Sequence, residues 1–303
     1  MAKIPDPLVL TLERMLENPP DVDHPVLLAG PTASGKSALA LALARVQGRI
    51  IVNADALQVY DMWRILSARP GADDCAQVPH YLYGTVGRDQ DWSVGHWLRA
   101  VSRLLEQHRN AIIVGGTGLY FRALTEGLVE IPPIPAEIRR QADTLLDAEG
   151  ADLLLQQLDP QTRAQIDMAN PARVQRAWEV LHATGTGLAT WQPRTPPPVL
   201  PLSQATALVM RPDVGWLNDR IDSRFTKMME QGALQEARAA LPFWSPRAPW
   251  AKAIGAPELI AHLQGQISLS QAQQAATLAT RQYAKRQRTW FRNRMKGWTG
   301  LVQ

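Results

Sequence analysis

The stretch Gly30-Pro31-Thr32-Ala33-Ser34-Gly35-Lys36-Ser37 constrains this chain more than any other. It follows a short apolar run, PVLLAG (25–30), and opens a helix-like run, SALALALARV. A glycine-rich loop between a strand and a helix lets successive backbone N–H groups point inward at phosphate oxygens. The helix N-terminus adds partial positive charge. Lys36 supplies a full charge, and Ser37 offers its hydroxyl to Mg²⁺. The loop therefore holds phosphate, but it does not say whose. ATP and GTP are the usual occupants, and the rest of the chain has to decide.

Further apolar runs alternate with helical ones: RIIVNAD (49–55), AIIVGGT (111–117) and ATALVMRP (205–212). Short apolar runs alternating with helices imply buried parallel strands. Functional groups then sit at the carboxyl ends of those strands. The expected fold is α/β, a P-loop NTPase-like parallel sheet. Between IPPIP and WQPRTPPPVLP the pattern is helical instead, giving a helical insertion over 130–199 hinged at proline-rich borders. The core is then 1–129 with 200–303, and everything after residue 213 reads as helix. The first 24 residues read as a short amphipathic helix stopped by Pro19-Pro20, since Glu13, Arg14 and Glu17 interrupt any leader-like apolar core.

With 303 residues, 46% hydrophobic, the chain can bury one large core or two modest ones. One cysteine, Cys75, excludes a disulfide framework and a thiolate zinc cluster. A net charge of +4 is too mild to imply nucleic acid unless it is clustered. It is clustered near the end. In TRQYAKRQRTWFRNRMK (280–296), helical spacing puts Arg281, Lys285, Arg288, Arg292 and Lys296 in one stripe, with Tyr283 and Trp290 opposite. Like charges at this spacing repel. No acid follows Glu258 to offset them, so a polyanion is the expected partner.

Asp55 sits at a strand end facing the same crevice as the loop. It could bind Mg²⁺, orient a substrate or act as a base, or it could simply cap a helix. VGGTGLYFRAL (114–124) ends the third strand, where two glycines and Thr117 suit close approach of a ligand or merely a tight turn. Arg220 and Arg224, one helical turn apart, form either a clamp on phosphate or a solvated basic face.

Taken together, GPTASGKSALA, NADALQVYD, VGGTGLYFRAL, PPIPAEIRR, RIDSRFTKMMEQG and ATRQYAKRQRTWFR resemble the tRNA dimethylallyltransferase family, in order and spacing, over about residues 25–298. The resemblance implies transfer of a dimethylallyl group from dimethylallyl diphosphate to N6 of the adenosine adjacent to the anticodon. It assigns diphosphate binding to Gly30, Pro31, Thr32, Ala33, Ser34, Gly35, Lys36 and Ser37. It makes Asp55 the general base and puts Thr117 and Arg224 in the diphosphate channel. It assigns tRNA contacts to Asp55, Ala56, Leu57, Gln58, Thr117, Arg139, Arg173, Arg176, Lys252, Gly255, Thr280, Arg281, Gln282, Lys285, Arg286 and Gln287. The implied cofactor is Mg²⁺, and the implied partners are a tRNA anticodon stem-loop and dimethylallyl diphosphate. A cytoplasmic monomer with no membrane segment is expected.

This chain departs from the family pattern in places. Ala56 stands where a Ser is usual. Leu66-Ser67-Ala68-Arg69-Pro70 replaces a Gly-Thr-Ala-Lys-Pro run, and Gly255-Ala256-Pro257 lacks the usual Gly-Tyr pair. The segment before the loop is also longer. Rival readings are a P-loop kinase of a nucleotide or metabolite, a nucleotide-switched RNA-binding protein, and a prenyltransferase acting on free AMP.

Overall fold

The computed structural model describes residues 6–302. Chain order is helix α1 (Pro7–Glu17), strand β1 (Val26–Ala29), α2 (Lys36–Gln47), β2 (Ile51–Asn53), α3 (Ala72–Gln77), β3 (His80–Tyr81), α4 (Val94–Gln107), β4 (Ile112–Gly115) and α5 (Gly118–Glu126). There follow α6 (Ala136–Glu149), α7 (Ala151–Gln156), α8 (Pro160–Gln165), α9 (Pro171–Thr184) and α10 (Leu188–Trp191). The chain then runs through β5 (Thr206–Arg211), α11 (Val214–Glu230), α12 (Ala233–Ala240), α13 (Ala256–Leu263), α14 (Leu269–Arg294) and β6 (Thr299–Val302).

Of the described residues, those up to 125 and from 200 onward form one compact unit, and residues 126–199 form another. In the larger unit all six strands run parallel in the order β3-β2-β4-β1-β5-β6. Successive strand residues point to opposite faces, and both faces are covered. Leu27, Val52, Ile113 and Val209 pack into one apolar layer; Val26, Leu28, Ile51, Ile112 and Leu208 pack into the other. Burial on both sides is why these strands read as continuous apolar runs rather than alternating ones. A third cluster joins Trp63, Phe225, Met228, Trp250 and Leu259 away from the sheet. The smaller unit closes its own core around Leu154, Val174, Ala177 and Trp178.

The four strands read from the sequence are present, each shorter than its apolar run. The reading of continuous helix after residue 213 is corrected by β6, which pairs Thr299–Val302 with Leu208–Arg211. This edge strand is mostly exposed and carries Gly300, so it has neither period nor apolar weight. Its partner strand, not its composition, makes it a strand. β3, two residues long, likewise gives no local signal.

Candidate active site

Asp55 is placed by a residue that sequence patterning passes over. Asn53 ends β2 fully buried. Its Nδ2 donates to the carbonyls of Asp55 at 2.9 Å and Leu82 at 3.0 Å, and its Oδ1 accepts the Asp55 N–H at 2.8 Å. Trp97 Nε1 on α4 donates to the Asn53 carbonyl at 2.7 Å. Buried polar groups need partners, so these bonds fix one path for the chain leaving β2. Asp55 Oδ1 then accepts the Leu57 N–H at 3.0 Å, an Asx turn. No helix begins there, so the helix-cap alternative is replaced by a turn cap. Oδ2 faces Gly116, 3.2 Å from where a Cβ on that glycine would stand.

Thr117 clips this loop to the end of β4. Its Oγ1 accepts the Ala56 N–H at 2.9 Å, and its own N–H donates to the Ala54 carbonyl at 3.1 Å. Gly115 sits so close to the Ala54 backbone that no side chain fits. Gly115 is thus required by the approach of the two loops, whereas a Cβ on Gly116 would meet the Gln287 side chain of α14.

The phosphate loop leaves β1 and curls with Ala33 at φ 64° and Gly35 at φ 84°. Three side chains from distant elements meet its tip. Arg224 Nη1 donates to Thr32 Oγ1 at 3.1 Å, and Arg220 Nε donates to the Ala33 carbonyl at 3.0 Å. Gln287 on α14 accepts the Thr32 N–H through Oε1 at 2.8 Å. Arg220 also lies over the Trp216 ring, 4.7 Å from its centroid. It is therefore not simply a solvated charge; it braces the loop. From behind, Leu8 of α1 packs against Gly35, where a Cβ would come within 2.6 Å of it.

The electrostatics of the loop are those of a site expecting an anion. Lys36 is pushed down to about 8, first by burial and then by Arg224, with Asp55 opposing. Burial also lowers Arg224, against Asp55 and with Arg220. Two cations crowded in low dielectric gain most from a polyanion between them. Around Asp55 the phenols of Tyr83, Tyr120 and Tyr283 are all pushed up, by burial first and in the same direction by the Asp55 charge.

A cleft is lined by Thr32, Asp55, Arg224 and Tyr283, and also by Leu57, Leu66, Ile221, Phe225, Met228 and Ile254. Leu66 is positioned by Glu236 of α12. This carboxylate accepts the N–H groups of Arg64 at 2.5 Å, Ile65 at 2.9 Å and Leu66 at 2.9 Å. Neither Glu236 nor the apolar wall carries a local sequence signal, because each is assembled from segments far apart in the chain.

The expected RNA contacts divide. Lys252, Arg281, Gln282, Lys285 and Arg286 are exposed on the larger unit, while Ala56, Leu57 and Thr280 are half-buried. Gly255 and Gln287 are buried. Gly255, at φ +95°, packs beneath Leu66 and Phe225. Gln58 spends its Nε2 on the carbonyls of Ser67 at 2.9 Å and Ala68 at 3.0 Å. The basic stripe is also less bare than its own sequence implies. Arg281 pairs with Asp222 on α11, and Arg288 helps hold down the Asp213 carboxyl after its bonds to the backbone N–H groups of residues 214–216. Lys296 lies beyond the last turn of α14. Arg139 on α6 and Arg173 and Arg176 on α9 belong to the smaller unit. There Arg173 meets Asp167 at 3.4 Å and Arg176 meets Glu179 at 3.5 Å.

Among the described residues no group of three or more His, Cys, Asp or Glu side chains could cage a metal. Among the described residues, too, no helix is long and apolar enough to cross a membrane.

Two family models match the chain: IPP transferase over residues 58–294 and isopentenyl transferase over residues 24–82. A Cereibacter sphaeroides protein named tRNA dimethylallyltransferase is 61% identical over 295 residues, covering 96% of this chain and 94% of that protein. A Dinoroseobacter shibae protein of the same name is 62% identical, covering 91% and 94%. The solved full-length tRNA isopentenylpyrophosphate transferase of Bacillus halodurans is 27% identical, with a TM-score of 0.65 over 92% of this chain and 90% of that one. Agreement along nearly the whole length, and not at the phosphate loop alone, excludes a shared motif on an unrelated scaffold. The chain belongs to the tRNA dimethylallyltransferase family.

Proposed function

We propose that this chain transfers a dimethylallyl group from dimethylallyl diphosphate to N6 of the adenosine adjacent to the anticodon of tRNA, releasing diphosphate. The observation that carries this reading is the cleft. It joins the phosphate loop and a strand-end carboxylate to a wall of Leu57, Leu66, Phe225 and Met228. A five-carbon tail suits such a wall, whereas a purine would find little there to hydrogen-bond.

The diphosphate lies in the curl of the Gly30–Ser37 loop, on the N–H groups of Ala33, Gly35, Lys36 and Ser37, with Lys36 and Arg224 over it. The target adenine leaves its stack, which costs least in an unpaired loop. N6 attacks the allylic carbon; the N–C bond forms while the C–O bond to diphosphate breaks and its electron pair leaves on oxygen. Asp55 takes the N6 proton as the bond forms, because an exocyclic amine is a poor nucleophile unaided. Lys36, Arg224 and the loop N–H groups hold the leaving charge in place.

Mg²⁺ fits these donors. Ser37 at the first turn of α2 is an exposed hard oxygen, and this ion needs few protein ligands when diphosphate and water supply the others. When bound, it neutralises part of the leaving charge. Exposed Arg139, Arg173, Arg176, Lys252, Lys285 and Arg286 are the proposed phosphate contacts to RNA.

The test is incubation with dimethylallyl diphosphate, Mg²⁺ and bulk tRNA, followed by nucleoside analysis. Prenylated adenosine and free diphosphate are expected, and both should vanish with Lys36→Ala. Robust tRNA-independent ATP hydrolysis, lost in the same variant, would favour a kinase or nucleotide switch instead.

A further inference from the structure

We infer that Gln287 is a positioning residue for the transfer step, acting as the strut that sets the phosphate loop at a fixed distance from Asp55. The inference rests on the proposed reaction. β1, which leads into the phosphate loop, and β2, which leads to Asp55, are not neighbours; β4 lies between them. The Asp55 loop is fastened to the end of β4 through Ala54, Ala56 and Thr117. The phosphate loop is joined to the same place by one backbone bond, Gly30 N–H to the Gly115 carbonyl at 3.3 Å, and that bond lies before the loop's curl. Beyond it, Gln287 makes the connection. Oε1 accepts from Thr32 N–H at 2.8 Å, and Nε2 donates to the Gly116 carbonyl at 3.0 Å.

The chemistry of the side chain follows from its two partners. One is a donor and one an acceptor, so the amide orientation is fixed without choice. A glutamate could not donate to Gly116. It would also bring a second carboxylate beside the space that Asp55 Oδ2 faces, and would set negative charge against a diphosphate. Gln287 is 5% exposed, so an unpaired Thr32 N–H or Gly116 carbonyl left by its loss has no easy route to water. Gly116 admits nothing larger, since a Cβ there would overlap the Gln287 amide nitrogen. The three groups fill one small space, and the leaving-group loop and the base are both registered against it.

Displacements of about 1 Å in reacting geometry cost on the order of a hundredfold in rate. Gln287→Met, which keeps length and volume, and Gln287→Glu, which keeps shape but not the donor, should each lower kcat by roughly tenfold to a hundredfold. In Gln287→Met the KM for dimethylallyl diphosphate and the affinity for tRNA should stay within about threefold, because the loop N–H groups and the basic surface remain; in Gln287→Glu the added charge raises that KM while tRNA affinity stays. A kcat unchanged beside a lowered Tm would make Gln287 a packing residue and overturn the inference. So would a loss of tRNA affinity large enough to explain the whole effect. If Gln287→Glu does not fold, Gln287→Met decides alone. Absence of transfer by the unaltered chain would instead sink the proposed reaction, so the two failures are distinguishable.

Discussion

Asp55 divides its carboxylate: Oδ1 holds the turn that follows it, and Oδ2 faces the cleft beside Gly116. Asparagine can keep the first contact and lose the second role. Asp55→Asn should therefore leave the fold and tRNA affinity nearly intact while cutting turnover by on the order of a hundredfold or more. Single-turnover rates beside a binding titration would check it, and near-normal turnover would reduce Asp55 to a turn cap. Lys36 gives a second prediction. In the free protein it titrates at about 8, below its ordinary value, because burial and Arg224 disfavour its charge. Bound diphosphate favours that charge and raises it. Between about pH 8 and the raised value, binding must take up a proton, and affinity falls by up to about tenfold per pH unit as pH rises. Below about pH 8 the lysine is already charged and the dependence disappears. Calorimetry of inorganic diphosphate at pH 9 in buffers of differing ionisation enthalpy should show close to one more proton taken up by the unaltered chain than by Lys36→Met, a difference in which the ligand's own titration cancels.

Two elements carry consequences of their own. The first is α1, whose Leu8 fills the hollow behind Gly35 and whose Asp6 lies 3.9 Å from Arg220. Leu8→Ala should cost about 2–5 kcal/mol and loosen the loop, lowering Tm and raising the KM for dimethylallyl diphosphate. An unchanged KM would confine α1 to stability. The second is α14. Arg281 is matched by Asp222, whereas Lys285 is exposed. Lys285→Gln should flatten the salt dependence of tRNA binding by roughly 0.7 to 0.9 log units of slope, and Arg281→Gln by clearly less; equal effects would mean that Asp222 does not offset Arg281. The same contrast shows what sequence can and cannot tell. Lys36, Asp55 and Arg224 are legible because a loop motif, a strand end and a helical repeat each announce themselves within about ten residues. Asn53, Glu236 and Leu8 are not, because each acts on a segment that only the tertiary fold brings near: Glu236 on a turn 170 to 172 residues earlier. The acids opposite the basic stripe stayed hidden for the same reason, since Asp222 sits on α11 and Asp213 caps its start.

At the scale of the molecule, residues 126–199 leave and rejoin the larger unit at almost one point. Leu200 N–H donates to the Leu124 carbonyl at 3.0 Å, so the sheet does not need the intervening chain to bring its own ends together. Replacing 126–199 by a short Gly/Ser linker should leave a core that unfolds cooperatively and binds inorganic diphosphate within a few-fold of the full chain, with transfer to tRNA lost. Retained transfer would take the smaller unit out of RNA recognition, and a core that cannot fold would make that unit structural. The larger unit has the opposite character, because its site is sewn together across great sequence distances. Thr32 and Gln287 are 255 residues apart. At a synthesis rate of about 5–20 residues per second, roughly 13–50 s pass between making the loop and making the side chain that seats it. The ribosome thus delivers the catalytic geometry nearly last. A message cut short just before α14 yields a loop that keeps its contacts to α1 and α11 but lacks the amide that ties it to the Asp55 loop.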